Sequence, residues 1–291
     1  MTHSETNRKN LAAHFAISAH DLPTRDKIPV IKNIMGDDGE GLALDLGSGT
    51  GFTTYAVFGD RPTVCVDLYE PNLQYYRHKL ALVASSHQPL CVVARVTELP
   101  FKTGVFRFAL CSEVLEHLEN DDGAARELAW VLAIDGRVVI TVPHSKWGFA
   151  SFLELLGVKT VHDAPGPEHH FRVGYTEKTL GKLLRRYGLH AENRRYYLRL
   201  FTRLATDLIS LGNLLVQRFA YRRTTWNWAE VAELENGWVF RFYTWIFPLL
   251  WFFTRLDRLL LWMPGFGLIV AVRKRERSLN MCESPALDRS C

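Results

Sequence analysis

The feature that most constrains this chain is the passage from the run Gly41–Leu46 (GLALDL) into Gly47-Ser48-Gly49-Thr50-Gly51. A short apolar run that stops at a glycine cluster reads as a buried parallel strand. Glycines are needed where the backbone turns tightly and a ligand approaches within contact distance, because a Cβ would block both. A helix beginning at Phe52 then points its free N–H groups at that ligand. Twenty residues after Gly47, a second strand-like run, Thr63–Asp67, ends in a carboxylate. A carboxylate at that place can accept hydrogen bonds from both hydroxyls of a ribose lying across the strand tips.

The alternation continues along the chain. Pro71–Ser85 has helical spacing, Leu90–Ala94 and Val105–Cys111 read as strands, Asp121–Leu132 as a helix, and Gly136–Val142 as a strand ended by Pro143. A helix over Glu177–Tyr187, a strand over Ala191–Tyr197 and a strand-like run over Gly267–Val272 follow. Strands alternating with helices mean βαβ units. The expected fold is α/β, a Rossmann-like doubly wound sheet, mostly parallel, with an apolar helical lid inserted before the last strand. The boundaries follow: short amphipathic helices within residues 1–40 (over 9–20 and 24–35), a core over 41–197 plus 266–277, an insertion over 198–265 and a polar tail over 278–291.

A nicotinamide site typically shows G-x-G-x-x-G, and here the third glycine comes one residue early, with Phe52 in its place. The spacing G-x-G-x-G, with Asp45 two residues ahead, suits a ligand without a pyrophosphate. DLGSGTG (45–51) and CVDLYEPNL (65–73) resemble the first two motifs of class I S-adenosylmethionine-dependent methyltransferases, of the methyltransferase type 11 kind. ELPF (98–101), FRFALCSEVLEHL (106–118), ARELAWVLAIDGRVVITVPH (125–144) and HFRVGYTEKTLGKLLRRYGL (170–189) continue the likeness in the same order.

The resemblance implies S-adenosylmethionine as cofactor. Asp45, Gly47, Gly49 and Gly51 would border its methionine part, Asp67 would bind the ribose, and Leu68 and Val96 would lie at the adenine edge. Ser112 and Glu113 would stand beside the sulfonium, and His117 below the transferred methyl. One position departs: Arg95 stands where the family usually has an acidic residue that receives the adenine amino group, and an arginine accepts no hydrogen bond. Glu98 or a backbone carbonyl would have to substitute.

Methyl transfer from a sulfonium is a direct displacement, so the protein must align the nucleophile and exclude water. A hydroxyl or phenol acceptor also benefits from a base. Candidates near the strand tips are His144, His169 and His170, although PGPEHHFR could equally be a surface loop with solvated histidines. Cysteine and histidine spacing offers no zinc site, and no metal is expected.

The insertion is the least standard part. Over Leu198–Phe219, apolar Leu198, Phe201, Leu204, Ala205, Leu208, Ile209 and Leu215 recur at helical spacing, with Arg199, Arg203, Asp207, Asn213 and Arg218 on the other face. Arg222, Arg223, Trp226 and Trp228 precede the aromatic run Trp238–Trp262. Its uncharged stretch, Phe242–Thr254, has 13 residues and contains Pro248, too short for a span that needs about 20.

Charge is divided along the chain: residues 1–184 hold 18 Lys+Arg against 22 Asp+Glu, and residues 185–291 hold 17 against 9. A basic, aromatic insertion fits in-plane contact with an anionic membrane surface. The competing use is internal packing or a dimer contact, and the oligomeric state stays open. The basic groups are interleaved with large aliphatics, which argues against nucleic acid as partner. MTHSETNRKN lacks the apolar stretch of a signal peptide, and five cysteines form no framework, so a cytoplasmic protein peripheral on the membrane face is expected.

The activity expected is methyl transfer to a hydrophobic or lipid-linked small molecule. The rivals are a methyltransferase for a soluble metabolite, a nicotinamide-dependent oxidoreductase and a non-catalytic membrane-associated binding module.

Overall fold

Burial on both faces is what turns the apolar runs of this sequence into a central sheet. The computed structural model describes residues 20–36, 39–82, 88–145, 152–157, 170–220 and 238–276. In chain order these form α1 (Leu22–Met35), β1 (Ala43–Leu46), α2 (Phe52–Phe58), β2 (Thr63–Asp67), α3 (Glu70–Leu82), β3 (Leu90–Val93), β4 (Phe106–Ser112), a 3₁₀ turn (Leu115–His117), α4 (Asp121–Val131) and β5 (Leu132–Pro143). After a short turn of helix at Phe152–Leu155 come α5 (Glu177–Arg185), β6 (Leu189–Tyr197), α6 (Leu200–Ala220), α7 (Trp238–Thr254), a 3₁₀ segment (Arg255–Leu260) and β7 (Gly267–Lys274). The helix expected over 9–20, the polar tail, and Arg222, Arg223, Trp226 and Trp228 lie outside the described residues.

The seven strands run in the order β3-β2-β1-β4-β5-β7-β6. All neighbours are parallel except β7, which is antiparallel to both β5 and β6. The expected mostly parallel, doubly wound sheet is therefore present. Strand order reverses between β1 and β4, so the carboxyl ends of these two strands form the topological switch point, where ligands of such sheets bind.

Ala124, Leu128 and Val131 of α4 and Leu180 and Leu184 of α5 cover one face of the sheet. Ile31, Ile34 and Met35 of α1, with Phe58 of α2, cover the other against Phe108, Leu110, Val139 and Ile269. One boundary differs from the periodicity. Strand β5 begins at Leu132, which pairs with Phe106, and the next partners are Phe108 and Arg137. Residues 133–136 therefore bulge out of the ladder, around Asp135 at φ 58° and Gly136.

The insertion packs on α1. Leu22 of α1, Ala205 of α6 and Phe247 of α7 form a small core, joined by Ile209, Tyr243 and Leu250. Arg25 lies over the rings of Phe247 and Trp251, 5.0 and 5.6 Å from their centroids. The polar face expected for α6 does not hold throughout. Asp207 is buried, accepting from the Phe152 N–H (2.9 Å) and pairing with Arg203, whereas Leu204 and Leu208 are exposed. The Phe152 turn, separated in sequence, supplies the partner that draws Asp207 inward.

The start of α6 is capped from a distance. Buried Asp257 accepts the N–H groups of Phe201 (2.8 Å) and Thr202 (3.0 Å), two donors with no partner inside their own helix. We expect Asp257→Ala to lower unfolding free energy by about 1–3 kcal/mol, the range for leaving buried donors unsatisfied. Urea titration checks this, and an unchanged midpoint would show that Asp257 does not hold the insertion.

Candidate active site

Two anionic centres stand at the switch point. The first is built by the glycine loop. Its N–H groups turn back on the sheet, with Gly47 and Ser48 donating to the Val66 carbonyl at 2.8 and 3.0 Å. Gly49 donates to Asp67 Oδ2 at 2.8 Å, and Tyr69 donates to Asp67 Oδ1 at 2.8 Å. An ionised carboxylate offers about four lone-pair sites, so Asp67 keeps capacity for further hydroxyl donors.

The glycines have different reasons. Gly51, left-handed at φ 78°, leaves no room for a side chain, since a Cβ there would fall 2.2 Å from the Tyr76 ring. Gly49, at φ 54°, would point a Cβ into open space with nothing within 4 Å. Ser48 Oγ is buried and has no hydrogen-bond partner among the described residues. Asp45 is also buried, accepting from Thr54 Oγ1 at 2.5 Å. Burial pushes its carboxyl up to about 7, the Thr54 hydrogen bond opposes this, Asp67 pushes the same way, and Lys27 opposes. Leu68 is 61% exposed beside this cradle, while Val96 is buried in the main core, so only its backbone is left to face a ligand. Arg95 is exposed, and its carbonyl accepts from the Glu98 N–H (3.0 Å).

The second centre follows β4. Glu113 is left-handed at φ 56°, a conformation that costs a non-glycine residue energy and persists only where the surroundings hold it. Its N–H donates to the Thr141 carbonyl (3.0 Å), and its Oε1 accepts from Thr141 Oγ1 (2.5 Å) and the Tyr197 hydroxyl (2.6 Å). Lys27 Nζ stands 3.8 Å from the same oxygen. Burial alone would raise the Glu113 carboxyl, but Lys27 and the two hydroxyl donors outweigh it and hold it below its usual range. Ser112 Oγ lies 3.0 Å from Thr141 Oγ1. Lys27, Thr141 and Tyr197 were missed in the sequence, because they come from α1, β5 and β6 and share no motif.

Glu116, three residues on, is 1% exposed, and burial with the neighbouring Glu113 raises its carboxyl well above the usual range. His117 packs edge-to-face on His170, with ring centroids 4.5 Å apart. The structure thus brings together two expected site histidines from segments far apart in sequence. His144 is elsewhere engaged: it is buried, its Nδ1 is 3.0 Å from the Gly265 carbonyl, and its ring packs on Tyr196. His169 lies outside the described residues.

Residues 44–140 match the family model of a methyltransferase domain. The likeness is to a methyltransferase domain and spans those residues alone. Solved structures share its fold. An S-adenosylmethionine-dependent methyltransferase from Mesorhizobium loti is 15% identical, with a TM-score of 0.51, and the match covers 85% of this chain and 97% of that one. A geranyl diphosphate methyltransferase, solved with GPP and sinefungin, is 12% identical, with a TM-score of 0.51 and coverage of 85% and 76%. The [4+2]-cyclase SpnF is 16% identical, with a TM-score of 0.54 and coverage of 85% and 80%. The cyclase is a reminder that fold alone does not name a reaction. No curated protein sequence matches the chain.

S-adenosylmethionine is the cofactor of this methyltransferase family. The cradle fits it: an unpartnered Ser48 hydroxyl, open space at Gly49, spare acceptor capacity on Asp67 and an exposed apolar Leu68 beside them.

Two outcomes follow. Gly49→Ala adds a Cβ to the open side of the cradle and one strained residue costing about 1–2 kcal/mol. It should fold, yet bind S-adenosylmethionine at least ~10-fold more weakly, while Gly51→Ala should fail to yield folded protein. Equal behaviour in circular dichroism and cofactor titration would refute the division of roles. The second outcome concerns Asp45. The folded state binds its proton more tightly than the unfolded chain, whose carboxyl sits near 3.8. Its contribution to stability therefore falls as pH rises from about 4 to about 7 and is level beyond, by at most ~4 kcal/mol. The stability difference between wild type and Asp45→Asn, followed by urea titration across that window, should trace this fall.

Proposed function

We propose that the protein transfers a methyl group from S-adenosylmethionine to a hydrophobic or lipid-linked small molecule at the surface of an anionic membrane. The observation that carries this reading is the outer face of α7. Trp238, Phe242, Trp245, Leu249 and Phe252 recur every three or four residues, so they form one stripe, and each is more than half exposed. Leu259, Leu261 and Trp262 extend it beyond the helix and are exposed to the same degree. The opposite face, Tyr243, Phe247 and Leu250, is the one that packs on α1 and α6.

A continuous exposed stripe of this size implies something that covers it. Charge favours a lipid surface over a second copy of the chain. Between Trp238 and Trp262 the exposed charges are Arg241, Arg255 and Arg258, and the one acid, Asp257, is buried on the backbone of α6. Aromatics with arginines suit the headgroup region of an anionic bilayer, where each basic group contributes roughly 1 kcal/mol. Two like-charged copies would repel. No helix among the described residues is long and apolar enough to cross a membrane, so contact would be in-plane.

In the reaction, the bound cofactor supplies an electrophilic methyl on a sulfonium. Asp67 would hold the ribose hydroxyls, the loop of Gly47, Gly49 and Gly51 would admit the methionine end, and Asp45 would sit behind it. Glu113, kept anionic by Lys27, Thr141 and Tyr197, would face the cationic sulfonium together with Ser112. His117 and His170 would border the acceptor, with His170 the candidate for taking its proton. The helices of the insertion would exclude water from the acceptor and open toward the membrane.

Calorimetric titration with S-adenosylmethionine, together with flotation on vesicles containing phosphatidylglycerol, tests both halves. Micromolar cofactor binding and vesicle binding are expected. Trp245→Ser with Phe252→Ser should lower vesicle binding about tenfold or more without loss of fold or cofactor affinity, since both side chains are exposed. Unaltered vesicle binding in that variant would refute the membrane reading, and absence of cofactor binding would leave the non-catalytic module.

A further inference from the structure

Glu116, His117 and His170 each present one ligating atom, and the three atoms lie within 4.8 Å of one another. From this arrangement we propose that they form a binding site for a divalent transition-metal cation of the Zn²⁺ type at the acceptor end of the methyltransferase cleft. Two imidazoles and one carboxylate are the donor set that first-row divalent ions accept, with a position left for a further ligand. Bonds of about 2.0–2.2 Å would draw the donors inward through small side-chain rotations.

Two independent observations support the site. Glu116 is 1% exposed, and its Oε2 has no hydrogen-bond partner among the described residues. A carboxylate oxygen removed from water and left without a partner is costly, and a cation relieves that cost. Its other oxygen faces His117 Nε2 at 4.0 Å.

The donors are also held in advance. His170 enters from a segment more than fifty residues away, yet that segment is tied to the turn that carries the other two donors. The Phe171 N–H donates to the Glu116 carbonyl (2.9 Å), and the Arg172 guanidinium donates to the carbonyls of Leu115 (3.1 Å) and Leu118 (2.7 Å). The Tyr175 hydroxyl, next along, donates to Asp121 Oδ2 (2.7 Å). Metal sites gain affinity from this kind of outer support.

The position gives the ion a use. The turn begins directly after Glu113 and Val114, and Val114 fills the space over Gly47, so the three donors border the cofactor cradle. His117 and His170 are half-buried rather than sealed, which leaves a bound ion reachable. An acceptor oxygen could occupy the remaining position and be oriented there, with His170 serving as ligand in place of a base. That use rests on the methyl-transfer reading; the ion site does not.

The test uses tag-free full-length protein, stripped with chelator and titrated with Co²⁺ by visible absorption, then with Zn²⁺ in competition. One equivalent of Co²⁺ with d–d bands, displaced by Zn²⁺, is expected. His170→Ala and His117→Ala, whose fold is checked by circular dichroism, should each weaken binding at least ~10–100-fold, the range already reached by loss of outer partners. No stoichiometric binding by wild type, or undiminished binding by both variants, overturns the site. S-adenosylmethionine titration of the same samples separates the two readings. Cofactor binding without metal binding rejects the ion site alone, and metal binding without cofactor binding rejects methyl transfer alone.

Discussion

The arrangement depends on one half-buried carboxylate. Glu113 ends the central strand β4 in a left-handed conformation and there meets Lys27 from α1, Thr141 from β5 and Tyr197 from β6. Three elements from distant parts of the chain converge on a single oxygen carried at the end of a fourth. Lys27 and the two hydroxyls hold the carboxylate in place, and the carboxylate in turn ties their elements together. The same residue ends the strand at the switch point and leads into the turn carrying Glu116 and His117. The location of the cleft and the way the sheet is stitched are thus one feature.

Around that point the carboxyls divide into two kinds. Glu113 is held as an anion by a lysine and two hydroxyls, and Asp67 is dressed by backbone donors. Asp45 and Glu116 have lost water without comparable compensation, and their protons are held more tightly. A cationic ligand entering such a site changes the balance for every one of them. Groups whose environments push their proton affinities apart are what functional clefts show. Each end of the site holds one carboxyl whose proton is held more tightly, Asp45 by the glycine loop and Glu116 in the turn after β4.

The insertion shows how a single helix carries two messages. Tyr243, Phe247 and Leu250 of α7 pack on α6 and on α1, the helix that also supplies Lys27 to Glu113. The other face of α7 is also rich in large apolar residues and has no partner of comparable extent among the described residues.

The fold was legible in the sequence because its signals are local. Apolar runs ended by glycine or proline, a glycine loop and a carboxylate at the tip of β2 are each written within a few residues, and backbone sterics alone give them meaning. Asp67 accordingly ends β2, and Gly49 stands in the turn after β1. What could not be read was every feature made by contact between distant segments: the inward turn of Asp207, the capping of α6 by Asp257, the engagement of His144 by the Gly265 carbonyl, and the meeting of His170 with His117. Composition did reveal that the run Trp238–Trp262 is dominated by aromatic and aliphatic residues. Only the packing of α1 and α6 decided which face is buried and which is left to water, since burial is a property of neighbours and not of the helix itself.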